Sequence, residues 1–118
     1  MKKVYVAGAY SSDNVLGVLN NIREGIRVST EILLAGYAPF CPWCDHSFVL
    51  ALREGEHISV QQFYDYSIAW LEVSDVMVLV PGWENSHGTR AEIEIARTLN
   101  IPVYTYEDFL NMGTPEPR

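Results

Sequence analysis

Two short apolar runs each stop abruptly at a glycine-bearing loop, and the segments around them repeat apolar residues at helical spacing. Lys3 to Gly8 is the first run; Val76 to Val80, ended by Pro81-Gly82, is the second and clearer one. Continuous runs of this length, rich in Val and Leu, mark strands buried on both faces. After the first, Asp13 or Asn14 is placed to cap a helix with apolar positions Val15, Leu19, Ile22, Ile26 and Leu33. Gly36 ends that helix, and Tyr37 to Phe40 reads as a second strand before Pro42. A short helix is expected from Asp45 to Leu52, broken by Glu54-Gly55-Glu56.

Ser59-Val60-Gln61-Gln62 has the form of a capping box, so a helix starts there. Its residues Phe63, Tyr64, Tyr66, Ile68, Ala69, Trp70 and Leu71 are apolar over more than one face. That calls for full burial, or for burial on one side and a subunit contact, centred on Phe63, Tyr64 and Trp70, on the other. Gly88 to Leu99 is predicted as a helix with Ala91, Ile95, Ala96 and Leu99 inward. Ile101 to Tyr104 is the last strand, followed by a short helix near Glu107 to Asn111 and a frayed tail from Gly113 to Pro117.

Strands separated by helices dictate a parallel sheet with right-handed crossovers. The expectation is an α/β fold: a flavodoxin/Rossmann-like three-layer sandwich, strand order 2-1-3-4, in one domain over residues 1–118. Ligands of such sheets bind outside the carboxyl ends of the strands, where the strand order reverses. Here that point lies between strands one and three, where both glycine loops end.

Composition narrows the function. A chain of 118 residues buries roughly two-thirds of its unfolded surface. The 48% hydrophobic and 12% aromatic content is high for that size and points to cover by another copy of the chain. With a formal charge of −7 and only Lys2-Lys3 paired, the chain lacks the basic face a nucleic acid polymer requires. A mononucleotide is not excluded, since N–H groups and hydroxyls can hold a phosphate. Val4 to Ala7 is too short for a signal-peptide core, and no apolar run approaches the roughly 18 residues of a membrane span. Two cysteines make no secreted disulfide framework, so the expected location is cytoplasmic, without a membrane partner.

Glu92 is the central candidate. A first-turn glutamate is commonly a solvated charge that complements the helix dipole. Chemistry is favoured here because residues 86 to 88 supply a hydroxyl and flexible backbone, and Tyr5 on the adjacent strand can reach the same crevice. A phenol hydrogen-bonded to a carboxylate orients it as a nucleophile. Glu94 points away by helical phase. Ser11, Ser12, Ser86 and the N–H groups around Gly88 offer a cradle for an oxyanion or phosphate, although a Ser-Ser pair after a turn also serves as a loop or cap. Arg90 either adds a charge or pairs with Glu94 at i, i+4. Asp45 and His46 either overhang the crevice or act as a helix cap and a surface histidine.

Cys41-Pro42-Trp43-Cys44 has the layout of a thiol redox site, in which a helix N-terminus lowers a thiol pKa. It follows the second strand rather than the first, and no cis-proline partner loop is suggested downstream. His46, His57 and His87 lack ligand spacing with the cysteines, so no metal is expected.

Three segments resemble the nucleoside 2-deoxyribosyltransferase superfamily, including its 2′-deoxynucleoside 5′-monophosphate N-glycosidases. They are Val4 to Ser11, the Trp70-Leu71 to Ser74-Asp75-Val76 segment, and Ser86-x-Gly88-x-x-x-Glu92-x-x-x-Ala96. The Pro81 to Ser86 stretch looks most like a short branch of that superfamily, and the similarity runs over roughly residues 3 to 104. The resemblance implies a glutamate nucleophile at Glu92, a strand-one tyrosine at Tyr5, a phosphate-binding serine at Ser86 and a phosphate loop over Ala9 to Ser12, next to Gly8.

It further implies attack on C1′ of a 2-deoxyribosyl group, a covalent intermediate, and release to water or to a second base. Ser11, Ser12, Ser86 and Gly88 would hold sugar or phosphate, and Tyr10 or Trp83 would stack on the base. No cofactor is implied. The partners would be a nucleoside or nucleotide and further copies of the chain, as a dimer or tetramer whose neighbouring subunit completes the pocket. The family's aspartate eight residues before Asp75 falls on Ser67, and the hydrolase branch has an arginine where Ser11 stands. Asp65 lies two residues before Ser67, roughly 200° around an ideal helix. Proton delivery to the base is therefore unassigned among Asp45, His46 and Asp65. The alternatives are a non-catalytic nucleotide-binding module of the same fold and a thiol oxidoreductase acting through Cys41 and Cys44.

Overall fold

Alternating strands and helices over residues 1–112, the part described by the computed structural model, form three layers; the predicted tail at Gly113 to Pro117 lies outside the described residues. The strands are β1 (Lys3–Ala7), β2 (Ala38–Phe40), β3 (Val76–Leu79) and β4 (Val103–Thr105). The helices are α1 (Val15–Leu34), α2 (His46–Leu50), α3 (Val60–Leu71), α4 (His87–Thr98) and α5 (Tyr106–Leu110). Short 3-10 turns at Pro42–Asp45 and Trp83–Asn85 precede α2 and α4. All strand pairs are parallel and the order is β2-β1-β3-β4, as expected.

Local chemistry sets the helix ends. Asn14 caps α1 by accepting from the Gly17 N–H at 2.8 Å, and Gly36, with φ 99°, turns the chain out of it. At α3, the Ser59 hydroxyl accepts from the Gln62 N–H at 3.1 Å while the Gln62 side chain accepts from the Ser59 N–H at 2.9 Å. This is the predicted capping box, which satisfies two of the donors a helix start leaves free.

Alternation along β1 divides the core. Val4 and Val6 face a cluster with Val28 and Ile32 of α1, Trp43, Val78, Val80 and Phe109 of α5. Tyr5 and Ala7 face the other layer, with Leu71 of α3, Met77, Leu79, and Ile93 and Ala96 of α4. Successive side chains of a strand point to opposite faces, so Tyr5 is committed to the α3/α4 side.

Two helix faces differ from the sequence expectation. In α1 the buried residues are Gly25, Val28, Ser29 and Ile32; of the predicted positions only Ile22 packs on the core. Val15, Leu19, Ile26 and Leu33 are exposed. The reason is Trp43, whose indole lies against α1 where only a residue without a side chain fits: a Cβ on Gly25 would stand 2.2 Å from the ring. In α4 the inward residues are Thr89, Ile93 and Ala96, while Ala91 and Leu99 are exposed. Polar Thr89 and Glu92 turn inward because their partners, Ser86 and Tyr5, lie there. The aromatic helix α3 buries only Leu71 completely; Trp70, half exposed, stacks on Phe40 at 5.7 Å. Among the described residues no helix is long and apolar enough to cross a membrane.

Candidate active site

Where β1 and β3 end, a cavity of about 460 Å³ opens between the Ala7–Ser11 segment, the turn after β2, α3 and the start of α4. The backbone approaches closely at its floor. A Cβ on Gly8 would lie 2.8 Å from Val80 Cβ and 3.2 Å from the Trp43 ring, so only glycine fits. Trp43 donates its indole N–H to the Ala9 carbonyl at 3.0 Å, and the Asn21 amide donates to the Tyr10 carbonyl at 3.1 Å. These bonds hold the loop after β1 against both α1 and the turn after β2.

Tyr5, fully buried, donates its phenol O–H to Glu92 Oε2 across the β1–α4 gap. Both groups line the cavity. Burial raises the Glu92 carboxyl above its ordinary range, and the Tyr5 hydrogen bond pulls it back. Burial, then the negative charge of Glu92, pushes the Tyr5 phenol far above its ordinary value. The phenol therefore keeps its proton and acts only as a donor, leaving Glu92 oriented. Phe40 stacks on the Tyr5 ring at 5.5 Å and fixes its plane.

The structure brings together Tyr5, Gly8, Ala9, Tyr10, Ser11, Asp45, Ser67, Ser86, Gly88 and Glu92 around this cavity. Ser86 is the N-cap of α4: its hydroxyl accepts from the Thr89 N–H at 3.2 Å and from the Thr89 hydroxyl at 3.0 Å. That leaves the first-turn N–H groups of His87 and Gly88, which have no intrahelical acceptor, beside the cavity. Burial raises the Asp45 carboxyl, against the pull of Tyr10 and His46.

Four predicted residues stand elsewhere. Ser12 leans on the first turn of α1, so close to Gly17 that a Cβ there would meet its hydroxyl at 2.0 Å. Trp83 packs against the core cluster on the α3/α4 side of the sheet. His46 is exposed, with a ring nitrogen 3.5 Å from the Tyr10 hydroxyl, and Asp65 is exposed and accepts from Gln61 at 2.9 Å. Arg90 neither enters the cavity nor pairs with Glu94: it donates to the Glu84 carbonyl, through Nε at 3.0 Å, while Glu94 pairs with Arg97 at 2.8 Å.

The walls contributed by Trp43 and by Val60, Phe63 and Tyr64 of α3 were missed in the sequence, which singled out only Asp65 and Ser67 of that helix for the site. Val60, Phe63, Tyr64 and Ser67 all line the cavity, and they recur at i, i+3, i+4 and i+7, one stripe of a helix. That spacing was available as a signal. Tyr64 thus belongs to the cavity wall, whereas Trp70 lies outside it. The thiol reading finds no support: Cys41 is pushed up to about 11, chiefly by burial, where a reactive thiolate requires the opposite displacement. Among the described residues no group of three or more His, Cys, Asp or Glu is placed to hold a metal ion.

No curated protein matches this sequence. Solved structures do. A conserved protein from Enterococcus faecalis V583 superposes with a TM-score of 0.66 at 18% identity, covering 89% of this chain and 62% of its own length. A 2-deoxyribosyltransferase from Bacillus psychrosaccharolyticus superposes with a TM-score of 0.60 at 18% identity, over 87% of this chain and 70% of the enzyme. At that identity the likeness is one of fold. Residues 2–105 match the family described as Domain of unknown function (DUF4406), and the chain belongs to it.

Proposed function

We propose that the chain is an enzyme that cleaves or transfers the N-glycosidic bond of a 2′-deoxynucleoside or its 5′-monophosphate. The observation that carries this reading is the Tyr5–Glu92 pair: a desolvated carboxylate, hydrogen-bonded to a phenol, in the wall of a cavity at the switch point of the sheet. The fold shared with a 2-deoxyribosyltransferase agrees with it.

In this reading the Glu92 carboxylate attacks C1′ as the bond to the base breaks, through an oxocarbenium-like transition state. The Tyr5 O–H occupies Oε2, leaving the other oxygen for the sugar. The covalent deoxyribosyl ester then passes to water or to a second base. The aromatic wall of Tyr10, Phe63 and Tyr64 gives the base a surface to stack on. Ser11, Ser86 and the N–H groups at the start of α4 face the sugar and its 5′ substituent. A homo-oligomer, with a second copy completing the pocket, fits the same reading.

Incubation with the 2′-deoxynucleosides and their 5′-monophosphates, with Glu92→Ala beside the wild type, tests it. Base release by the wild type and none by the variant is expected. Base release that survives the substitution refutes the assignment. Ligand-dependent thermal stabilisation without turnover in the wild type would instead mark a binding module.

A further inference from the structure

A deoxyribosyl transfer needs a proton for the departing base as much as a nucleophile for the sugar, and Glu92 is committed to the second task. We propose that Asp45 is the general acid that protonates the leaving base, an inference that rests on Glu92 acting as the nucleophile. β1 lies between β2 and β3 in the sheet. Asp45 ends the turn after β2, and Glu92 sits in the helix after β3, so the two carboxyls enter the cavity from either side of the β1 loop. A nucleoside with its anomeric carbon at Glu92 projects its base away from that residue, toward the Asp45 side and the Tyr10 ring.

The other groups in the wall serve this role less well. Tyr5 is bound to Glu92 and its phenol is pushed far up, and the Tyr10 phenol is also raised. The Ser67 hydroxyl is no acid near neutral pH. His87 is the first residue of α4, on the same side of the β1 loop as Glu92 and not on the opposite side where the base departs. Asp45 remains. It lines the same cavity as Glu92, burial favours its protonated form, and its charge reaches the Tyr5 phenol that holds Glu92.

The step balances as follows. A lone pair of the Glu92 carboxylate forms the C1′–O bond while the C1′–N bond breaks and its electrons stay on the base. The Asp45 O–H passes its proton to the base and becomes a carboxylate. In the return step that carboxylate takes a proton from the attacking water, or from the N–H of the attacking base, and the ester electrons return to Glu92.

The test exploits a leaving group that needs no proton. In 7-methyl-2′-deoxyguanosine the base is already cationic and departs neutral. Single-turnover rates are measured on it and on the best unmodified 2′-deoxynucleoside, for wild type, Asp45→Asn and Glu92→Ala. Asp45→Asn is expected to lose roughly 100-fold or more on the unmodified substrate and less than tenfold on the methylated one. Activity retained on the methylated substrate also shows that the variant is folded. Equal losses on both substrates, no loss on either, or the selective pattern appearing in His87→Gln instead would overturn the role of Asp45. Loss of both activities in Glu92→Ala beside an indifferent Asp45→Asn would leave the nucleophile standing and remove only the acid. A wild type that releases neither base overturns both.

Discussion

Replacing Gly25 by alanine sets a known gain against a larger loss. On a free helix surface the change stabilises by about 0.8–1.0 kcal/mol, because alanine has the better helix propensity. At this site the new methyl carbon would stand 2.2, 2.3 and 2.5 Å from three ring atoms of Trp43. Carbon atoms pack at about 3.5–4.0 Å, so the indole must retreat by roughly 1.3 Å. It has little space to do so, being 2% exposed and packed against Gly8 from another side. Retreat also breaks its hydrogen bond to the Ala9 carbonyl at 3.0 Å. Overpacking costs about 1–3 kcal/mol and a buried polar group stripped of its partner another 1–3 kcal/mol or so. The net expectation for Gly25→Ala is a loss of roughly 2–4 kcal/mol, read as a lower urea midpoint at unchanged m-value. Because Trp43 and Ala9 are both wall residues, affinity for nucleoside falls with it. A variant that is as stable as wild type, or more stable, refutes the packing of Trp43 on α1.

Two further predictions concern charge. The folded-state pKa of Glu92 is raised, so its contribution to stability is full below the unfolded value of about 4.3 and is lost as pH rises through the folded one. Glu92→Gln is therefore expected to abolish turnover yet raise Tm by a few degrees at pH 8, with the advantage shrinking toward pH 4 in thermal melts; an advantage that grows toward acid contradicts burial of the carboxylate. The cavity wall carries Asp45 and Glu92 and, among the described residues, no Lys or Arg, since Arg90 is bound to the Glu84 carbonyl. A 5′-phosphate is thus expected to raise KM by about tenfold or more over the uncharged nucleoside at low salt, and a comparable preference for the monophosphate would contradict it.

How much of this was legible in the chain depends on what hydropathy encodes. Central strands β1 and β3 are covered on both faces, so they read as unbroken apolar runs, and the helices between them dictate the parallel order. The meeting of Tyr5 with Glu92 is legible for a related reason: strand alternation sends Tyr5 to one face and helical phase sends Glu92 toward the same strand ends. The inward face of α1 was not legible, because what makes it inward is absence of bulk. Gly25 and Ser29 are buried for being small, and a search for large apolar residues selects Leu19, Ile26 and Leu33 on the wrong side. In α4, Thr89 turns inward to meet Ser86, a polar partner that no periodicity of apolar residues reveals. Trp43 was read as the filling of a Cys-x-x-Cys motif, whereas in the fold it wedges between α1 and the loop after β1 and shapes the cavity.

Mass spectrometry of the protein mixed with a 2′-fluoro-2′-deoxyarabinosyl nucleoside addresses the nucleophile itself. The fluorine destabilises the oxocarbenium-like transition states, slowing release of the sugar so that an ester intermediate accumulates. A 2-fluoro-2-deoxyarabinosyl adduct on the peptide containing Glu92, absent from Glu92→Gln, is the predicted result. Base release without any adduct, or an adduct on a different residue, contradicts the account.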